Sequence, residues 1–275
     1  MTDPDGRSRF ATDTAVDARG DGVYEATIDR SWWIMRGPNG GYLAAIVARA
    51  IRAEVADTGQ RLRSLTLHYL RAPDVGRCEV AVTVERRGRT LTSLSVRLTQ
   101  GGTLMVVGLA ATAIDRDGPS FADLPLPPVA APEPETPVVD LPPGAIDIPM
   151  RKHYEMQSRL GPDRWSGEIA DEAVTGGWIR LADPEPVDDV VVAALTDAWT
   201  PAIFNRTLDR LGVPTVDLTI HFRDEPPAVH DWVFVRFTSR HAAGGYVEED
   251  GEVWSRDGHL LAQSRQLAVE LPIPG

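Results

Sequence analysis

The chain repeats itself at long range, and that limits its architecture more than any other feature. LTLHYLRAP at Leu65–Pro73 lies over LTIHFRDEP at Leu218–Pro226 without a gap, a shift of 153 residues. GTLMVVGLAATA, from Gly102, lies over GHLLAQSRQLAV, from Gly258, at a shift of 156, and AAI at Ala44–Ile46 lies over PAI at Pro201–Ile203 at 157. Solenoid repeats have periods of roughly 20–50 residues. The far longer period here implies a tandem pair of domains related by one duplication with small insertions, their sheets continuous or adjacent. A length of 275 residues accommodates such a pair.

Each half shows the same succession of elements. In the first, VYEATIDRSWWIM between Gly22 and Arg36 has the β-branched and aromatic content of a strand. Gly37, Pro38, Asn39, Gly40 and Gly41 punctuate it. YLAAIVARAIRAEVA then carries apolar residues at helical spacing, with so few charges that the helix should be buried on most sides. LRSLTLHYLRAP, CEVAVTVERRGRT, LTSLSVRLTQGG and TLMVVGLAATAI read as strands. In the second half EIADEAVTGGWIRLAD is strand-like and DDVVVAALTDAWTPAIFNRTLDRL helical, with Pro201 near the first turn. VPTVDLTIHFRDEP, DWVFVRFTSRHAAGG, YVEEDGEVWSRDG and HLLAQSRQLAVEL follow as strands. Between the halves, DGPSFADLPLPPVAAPEPETPVVDLPPGAIDIP is dense in proline, which removes ladder donors, and reads as a linker over the surface. The expected class is α+β: one unit over residues 1–114, a Pro-rich linker over 115–150, and a second unit over 151–275, each an antiparallel sheet around one long helix.

Composition excludes several functions. The formal net charge of −12 disfavours nucleic acid, whose phosphates need clustered Lys and Arg, and docking to anionic membranes. The single cysteine, Cys78, forbids an intrachain disulfide and reads as a buried structural thiol; no Cys/His cluster suggests a metal. The polar start MTDPDGRSRF lacks the apolar core of a signal peptide, and no run approaches the ~18 apolar residues of a membrane-spanning helix, so a cytoplasmic location is expected.

The helix opened by GPNGGYLAA, its tandem copy, and the ordered landmarks TDAW, PTVDLTIHF and LAQSRQLAV resemble the acyl-CoA thioesterase II (TesB-like) family of double hot-dog proteins. The resemblance covers about Asp21–Ala113 and Trp165–Leu271. It implies hydrolysis of fatty acyl-CoA without a covalent intermediate, by a water held between an Asp, a hydroxyl residue and a Gln of the second unit. By motif these are Asp197 in LTDAW, Thr215 in PTVDLTIHF and Gln266 in AQSRQLAV, with Thr219 the alternative hydroxyl. Acyl-CoA is the implied partner, no cofactor or metal is needed, and exposed sheet edges suggest a homo-oligomer, dimer or larger.

Thioester hydrolysis needs a water deprotonated as it attacks and a stabilised oxyanion. Asp197 stands in the apolar run VVVAALTDAW, where a carboxylate is expensive; it reads as a base or as a helix cap. Thr215 opens a strand, and a strand threonine alone carries no signal. Gln266, by alternation with Ala268 and Glu270, reads as an exposed amide if taken alone, though an amide can orient water or a carbonyl by both donating and accepting. The repeat sets Asp197 opposite Gly40, Gln266 opposite Ala110 and Thr215 near Leu62, so the first unit lacks all three groups. Asn39, Gly40 and Gly41 open the first helix, where backbone N–H groups could meet an oxyanion or the pantetheine arm, or simply make a tight turn. Trp199 could wall the pocket. His68 and His221 occupy equivalent strand positions and read as packing residues. Arg86, Arg87 and Arg89 read as a solvated hairpin turn or as contacts to CoA phosphates. A hydratase or dehydratase of acyl thioesters would want an Asp–His pair; a non-catalytic thioester-binding protein would not keep three polar groups.

Overall fold

The computed structural model describes residues 6–134, 148–162, 167–209 and 211–273. Residues 135–147 of the Pro-rich segment, Trp165 and Arg210 lie outside the described residues. The first half contains α1 (Arg9–Asp13), β1 (Asp17–Gly20), β2 (Val23–Ile28), α2 (Gly40–Glu54), β3 (Arg61–Tyr69), β4 (Gly76–Arg87), β5 (Leu91–Gln100) and β6 (Thr103–Ala113). The second contains β7 (Tyr154–Leu160), β8 (Ala173–Leu181), α3 (Asp189–Leu195), β9 (Leu211–Gly212), β10 (Thr215–Phe222), β11 (Val233–Ser239), β12 (Ala242–Ala243), β13 (Tyr246–Ser255), β14 (Leu260–Val269) and β15 (Leu271–Pro272).

Most strands form one continuous antiparallel sheet whose order is β1-β2-β4-β5-β6-β3-β10-β14-β13-β11-β8-β7, with β12 paired to β13, while β9 and β15 pair with each other in a separate small sheet. Outward from the β3–β10 seam the two halves follow the same sequence of strands, so the duplication is realised as a pseudo-twofold. Thr66 pairs with Thr219 at the seam, their hydroxyls 3.1 Å apart. β7, which the sequence did not announce, is the counterpart of β1. Together the sheet and the two helices it encloses make a double hot-dog fold.

Apart from Arg49, Arg52 and Glu54 towards the end of α2 and Asp189 at the start of α3, the helices are apolar all round, as buried helices are. Residues Gly41 to Ala48 of α2 and all of α3 are buried. Asn39 caps α2 by accepting from Tyr42 N at 2.9 Å, and Asp188 caps α3 by accepting from Val190 N and Val191 N. The pair runs antiparallel, since Arg52 near the end of α2 bonds Asp188 at the start of α3.

Two stretches depart from the elements their sequence pattern predicts. VYEATIDRSWWIM is a strand only to Ile28: Asp29 then caps a 3-10 turn over Arg30–Trp32, and buried Trp32 stacks on Tyr42 and His153, with centroids 5.1 and 4.0 Å apart. The second helix ends at Leu195 rather than continuing through Pro201. Its exit tightens through Asp197 N to Ala194 O at 3.3 Å, and Pro201 opens a separate short turn over Ala202–Asn205. A continued helix would bury a proline ring against the carbonyl one turn back and lose a bond there, at a cost of about 3 kcal/mol.

Over residues 115–134 the Pro-rich segment forms no helix or strand, and its last residues, Pro149 and Met150, open a 3-10 turn over Pro149–His153. Leu124, Leu126 and Val129 cover the outward aromatics Trp178, Trp232, Phe234 and Trp254. Trp178 Nε1 donates to Ala130 O at 2.8 Å and Trp254 Nε1 to Leu124 O at 3.2 Å. The linker therefore closes a second apolar face of the C-terminal half.

Candidate active site

Asp197 lies just past the C-terminus of α3, against the N-terminus of α2. It caps no helix of its own half. Its Oδ2 accepts from Gly41 N at 3.0 Å and from Asn39 Nδ2 at 2.9 Å, and the same amide reaches Asp197 O at 2.7 Å. The donors foreseen for a ligand at Asn39 and Gly41 are thus engaged with Asp197, where the positive end of α2 favours a carboxylate. Gly40 and Gly41 are glycines for lack of room. A Cβ on Gly41 would run into the Ala194 carbonyl of α3 and lie 3.1 Å from Asp197 Cβ, and one on Gly40 would lie 2.9 Å from Asp197 Oδ2.

Thr215 and Gln266 meet on neighbouring strands. Thr215 Oγ1 donates to Gln266 Oε1 at 2.9 Å. A bulge between Thr215 and Asp217 makes this possible: it breaks the alternation that buries Leu218, Ile220 and Phe222 and turns Thr215 inward. Gln266 is buried, with Ser264 and Ala268 on the same face, so the exposed-amide reading fails; β14 is interior to the sheet and this face looks onto the helices. Thr219 lies beyond the bulge, at the seam with Thr66. Thr219→Val should leave turnover within about twofold, whereas Thr215→Val should reduce kcat on the order of tenfold or more, the loss of one oriented hydrogen bond in a reacting complex. Equal losses from both would remove Thr215 from the site.

A third polar group, unforeseen in the sequence, completes this cluster. Glu249 of β13 is buried; its Oε1 accepts from Gln266 Nε2 at 2.8 Å and its Oε2 from Ala202 N at 2.6 Å. The two halves give the signal that could have found it. Leu65 pairs with Ala110 as Leu218 pairs with Gln266, and Ala110 pairs with Leu94 as Gln266 pairs with Glu249. Where the second half has Thr215, Glu249 and Gln266, the first has buried Leu62, Leu94 and Ala110. The helix register is corrected by the caps. Asn39 matches Asp188, which sets Asp197 opposite buried Ala48 rather than Gly40.

Burial pushes the Asp197 carboxyl up to about 6, against the Gly41 and Gly40 N–H groups and the Asn39 amide, which hold it down. Burial pushes Glu249 up to about 7, against the Ala202 N–H and the Gln266 amide; the Asp197 and Glu248 charges add to the rise. Asp197 also raises the buried phenols of Tyr69 and Tyr154, after burial itself. Tyr69 Oη donates to Gly40 O at 2.9 Å, while Tyr154 Oη is buried with no partner among the described residues. Trp199, two residues from Asp197, is buried and fixed by its Nε1 on Thr175 Oγ1 at 3.0 Å.

The remaining sequence candidates lie elsewhere. His68 and His221 are exposed near the seam, and Arg87 at the end of β4 pairs with Glu54 at 3.6 Å. Cys78 is buried, and burial raises its thiol to about 12, which suits a structural residue. Among the described residues no group of three His, Cys, Asp or Glu is placed to hold a metal ion, and no helix is long and apolar enough to cross a membrane.

The family model of the acyl-CoA thioesterase N-terminal domain matches residues 29–114, and that of the C-terminal domain matches 123–269. The chain belongs to the acyl-CoA thioesterase family. The C-terminal model of this family begins inside the Pro-rich segment, which agrees with that segment's packing on the second half. An uncharacterized protein of Mycobacterium tuberculosis is 28% identical over 270 residues, covering 90% of each chain. Two solved structures share the fold. A protein of unknown function with a hot-dog fold from Alicyclobacillus acidocaldarius has a TM-score of 0.85 at 24% identity, over 98% of this chain and 100% of that one. Acyl-CoA thioesterase II TesB2 from Mycobacterium marinum has a TM-score of 0.75 at 20% identity, over 98% and 99%.

Proposed function

We propose that this protein hydrolyses acyl-CoA thioesters to a free acid and CoA, using a water activated by Asp197 and no covalent enzyme intermediate. One observation carries the reading: a carboxylate raised towards neutrality stands at a helix N-terminus, with an oriented Thr–Gln pair in the same half and none of these groups in the other. Family membership supplies the substrate class. Asp197 takes a proton from the water as its oxygen bonds the thioester carbon. The C–S bond then breaks, and the leaving thiolate recovers that proton. Thr215, whose hydroxyl donates its hydrogen bond to Gln266, turns oxygen lone pairs to the water. Gln266 Nε2 has one N–H on Glu249 and a second available for the developing oxyanion.

Asp197 must be ionised to act, so activity falls as pH drops through its raised value. The expected kcat/KM profile has an acid limb with a midpoint of roughly 6–7, shared between two interacting carboxylates. Release of free CoA thiol from acyl-CoAs of increasing chain length, measured from pH 4.5 to 9, tests this. No release from any acyl-CoA by a protein that still binds one would favour a non-catalytic thioester-binding role. Activity independent of pH down to 4.5 would remove Asp197 as the base. The hydratase reading loses ground because no histidine is hydrogen-bonded to Asp197 among the described residues.

A further inference from the structure

We infer that Glu249 is a positioning residue of this site: its carboxylate locks the Gln266 amide in one orientation and thereby fixes which way the Thr215 hydroxyl points. The inference rests on the hydrolase reading for its kinetic consequence but not for its geometry. Three bonds run in one direction. Ala202 N donates to Glu249 Oε2, Gln266 Nε2 donates to Glu249 Oε1, and Thr215 Oγ1 donates to Gln266 Oε1. Above about pH 7, where Glu249 is ionised, its carboxylate only accepts, so it faces the amide nitrogen and leaves the amide oxygen for Thr215. With the amide reversed, Thr215 would accept from nitrogen and aim its proton into the site, leaving the water one lone pair instead of two and a competing donor beside it.

The surroundings of Glu249 make a purely structural role a poor account of it. On β13 it neighbours Glu248. From β14 it meets Gln266, from the turn after Pro201 the Ala202 N–H, and from the end of α3 the charge of Asp197. Among the described residues no Lys, Arg or His is ion-paired or hydrogen-bonded to it. A buried carboxylate with no cation is expensive, and the first half fills the equivalent position with Leu94. The fold therefore accepts an apolar side chain there, and the acid has been placed where one polar chain needs a pure acceptor at its end.

The test uses Glu249→Gln and Glu249→Leu in the full-length protein, beside the wild type. Glu249→Gln keeps shape, but its oxygen must serve Ala202 N, so it presents an amide N–H to Gln266 and reverses the chain. Glu249→Leu copies the first half and removes the lock. Both should reduce kcat on the order of ten- to a hundredfold, the scale of a misoriented reacting group, with KM within about twofold. Both should also draw the acid limb from the shared range of roughly 6–7 down to the Asp197 value of about 6, because the Glu249 step is removed. Independently of turnover, the Gln266 side-chain amide signals in ¹⁵N–¹H NMR, assigned by their loss in Gln266→Ala, should shift with pH through the Glu249 titration and stop doing so in Glu249→Gln. Wild-type kcat in both variants with an unmoved acid limb overturns the inference while leaving hydrolysis intact. A wild type without turnover overturns the hydrolase reading alone, and the amide titration then decides the geometry; an amide indifferent to residue 249 overturns it.

Discussion

Asp197→Asn should abolish most of the turnover, lowering kcat on the order of 10²–10⁴, the usual contribution of a positioned general base. The replacement keeps shape and an oxygen for the Gly41 N–H. KM should change little, because the loss is of proton acceptance rather than of binding. The same change should not destabilise the protein. The Asp197 value in the fold, about 6, lies above the ordinary carboxyl value of 3.8. The fold thus favours the protonated form, and its stability falls as pH rises through about 6. At pH 8 the ionised group costs on the order of 1–3 kcal/mol, discounted for its partial exposure, so the variant should melt as high as the wild type or a few degrees higher there, and no higher at pH 4. A variant with wild-type turnover would end the assignment of Asp197 as base. One that loses turnover and also melts far lower at pH 8 would mark Asp197 as mainly structural.

Gly41→Ala should damage stability and activity together. Alanine is ordinarily the better helix former by about 1 kcal/mol, so a first-turn glycine would normally gain from the change. Here the added methyl meets the Ala194 carbonyl of α3 and comes within 3.1 Å of both Asn39 Oδ1 and Asp197 Cβ. Two buried helices must separate, at a cost of about 1–3 kcal/mol, which for a protein of this size lowers the melting temperature by roughly 3–10 °C. The same shift lengthens the Gly41 N–H bond to Asp197, so kcat should fall with the melting temperature. Gly118→Ala is the control: its methyl meets nothing within 4 Å, and neither quantity should move. Differential scanning calorimetry with thiol-release kinetics reads both effects. Unchanged melting of Gly41→Ala would mean the helix contact is looser than this geometry requires.

The sequence by itself determined the scaffold. Strand periodicity and the strand repeat at 153–156 residues survive because pairing and burial are set by local pattern, and both halves obey the same pattern. They are enough to place Leu62 opposite Thr215 and Ala110 opposite Gln266, a register the strand pairings reproduce. The motifs also singled out Asp197, Thr215 and Gln266 as the residues to follow.

Only the tertiary structure decided how those residues meet. One bulged residue turns Thr215 inward, and a bulge leaves no mark in composition. Periodicity ran through Pro201 because LTDAWTPAIF stays apolar, whereas backbone geometry ends the helix at Leu195 and delivers Asp197 to the start of a helix 156 residues away in the chain. Glu249 was invisible because acidic residues crowd YVEEDGEVW, and only the pairing of β13 with β14 shows which buried one lies beside Gln266. Thus local pattern, which acts over a few residues, fixed most strands and the start of each helix, while the polar site depends on contacts between chain segments far apart, where burial in a shared interior changes what a carboxylate can do.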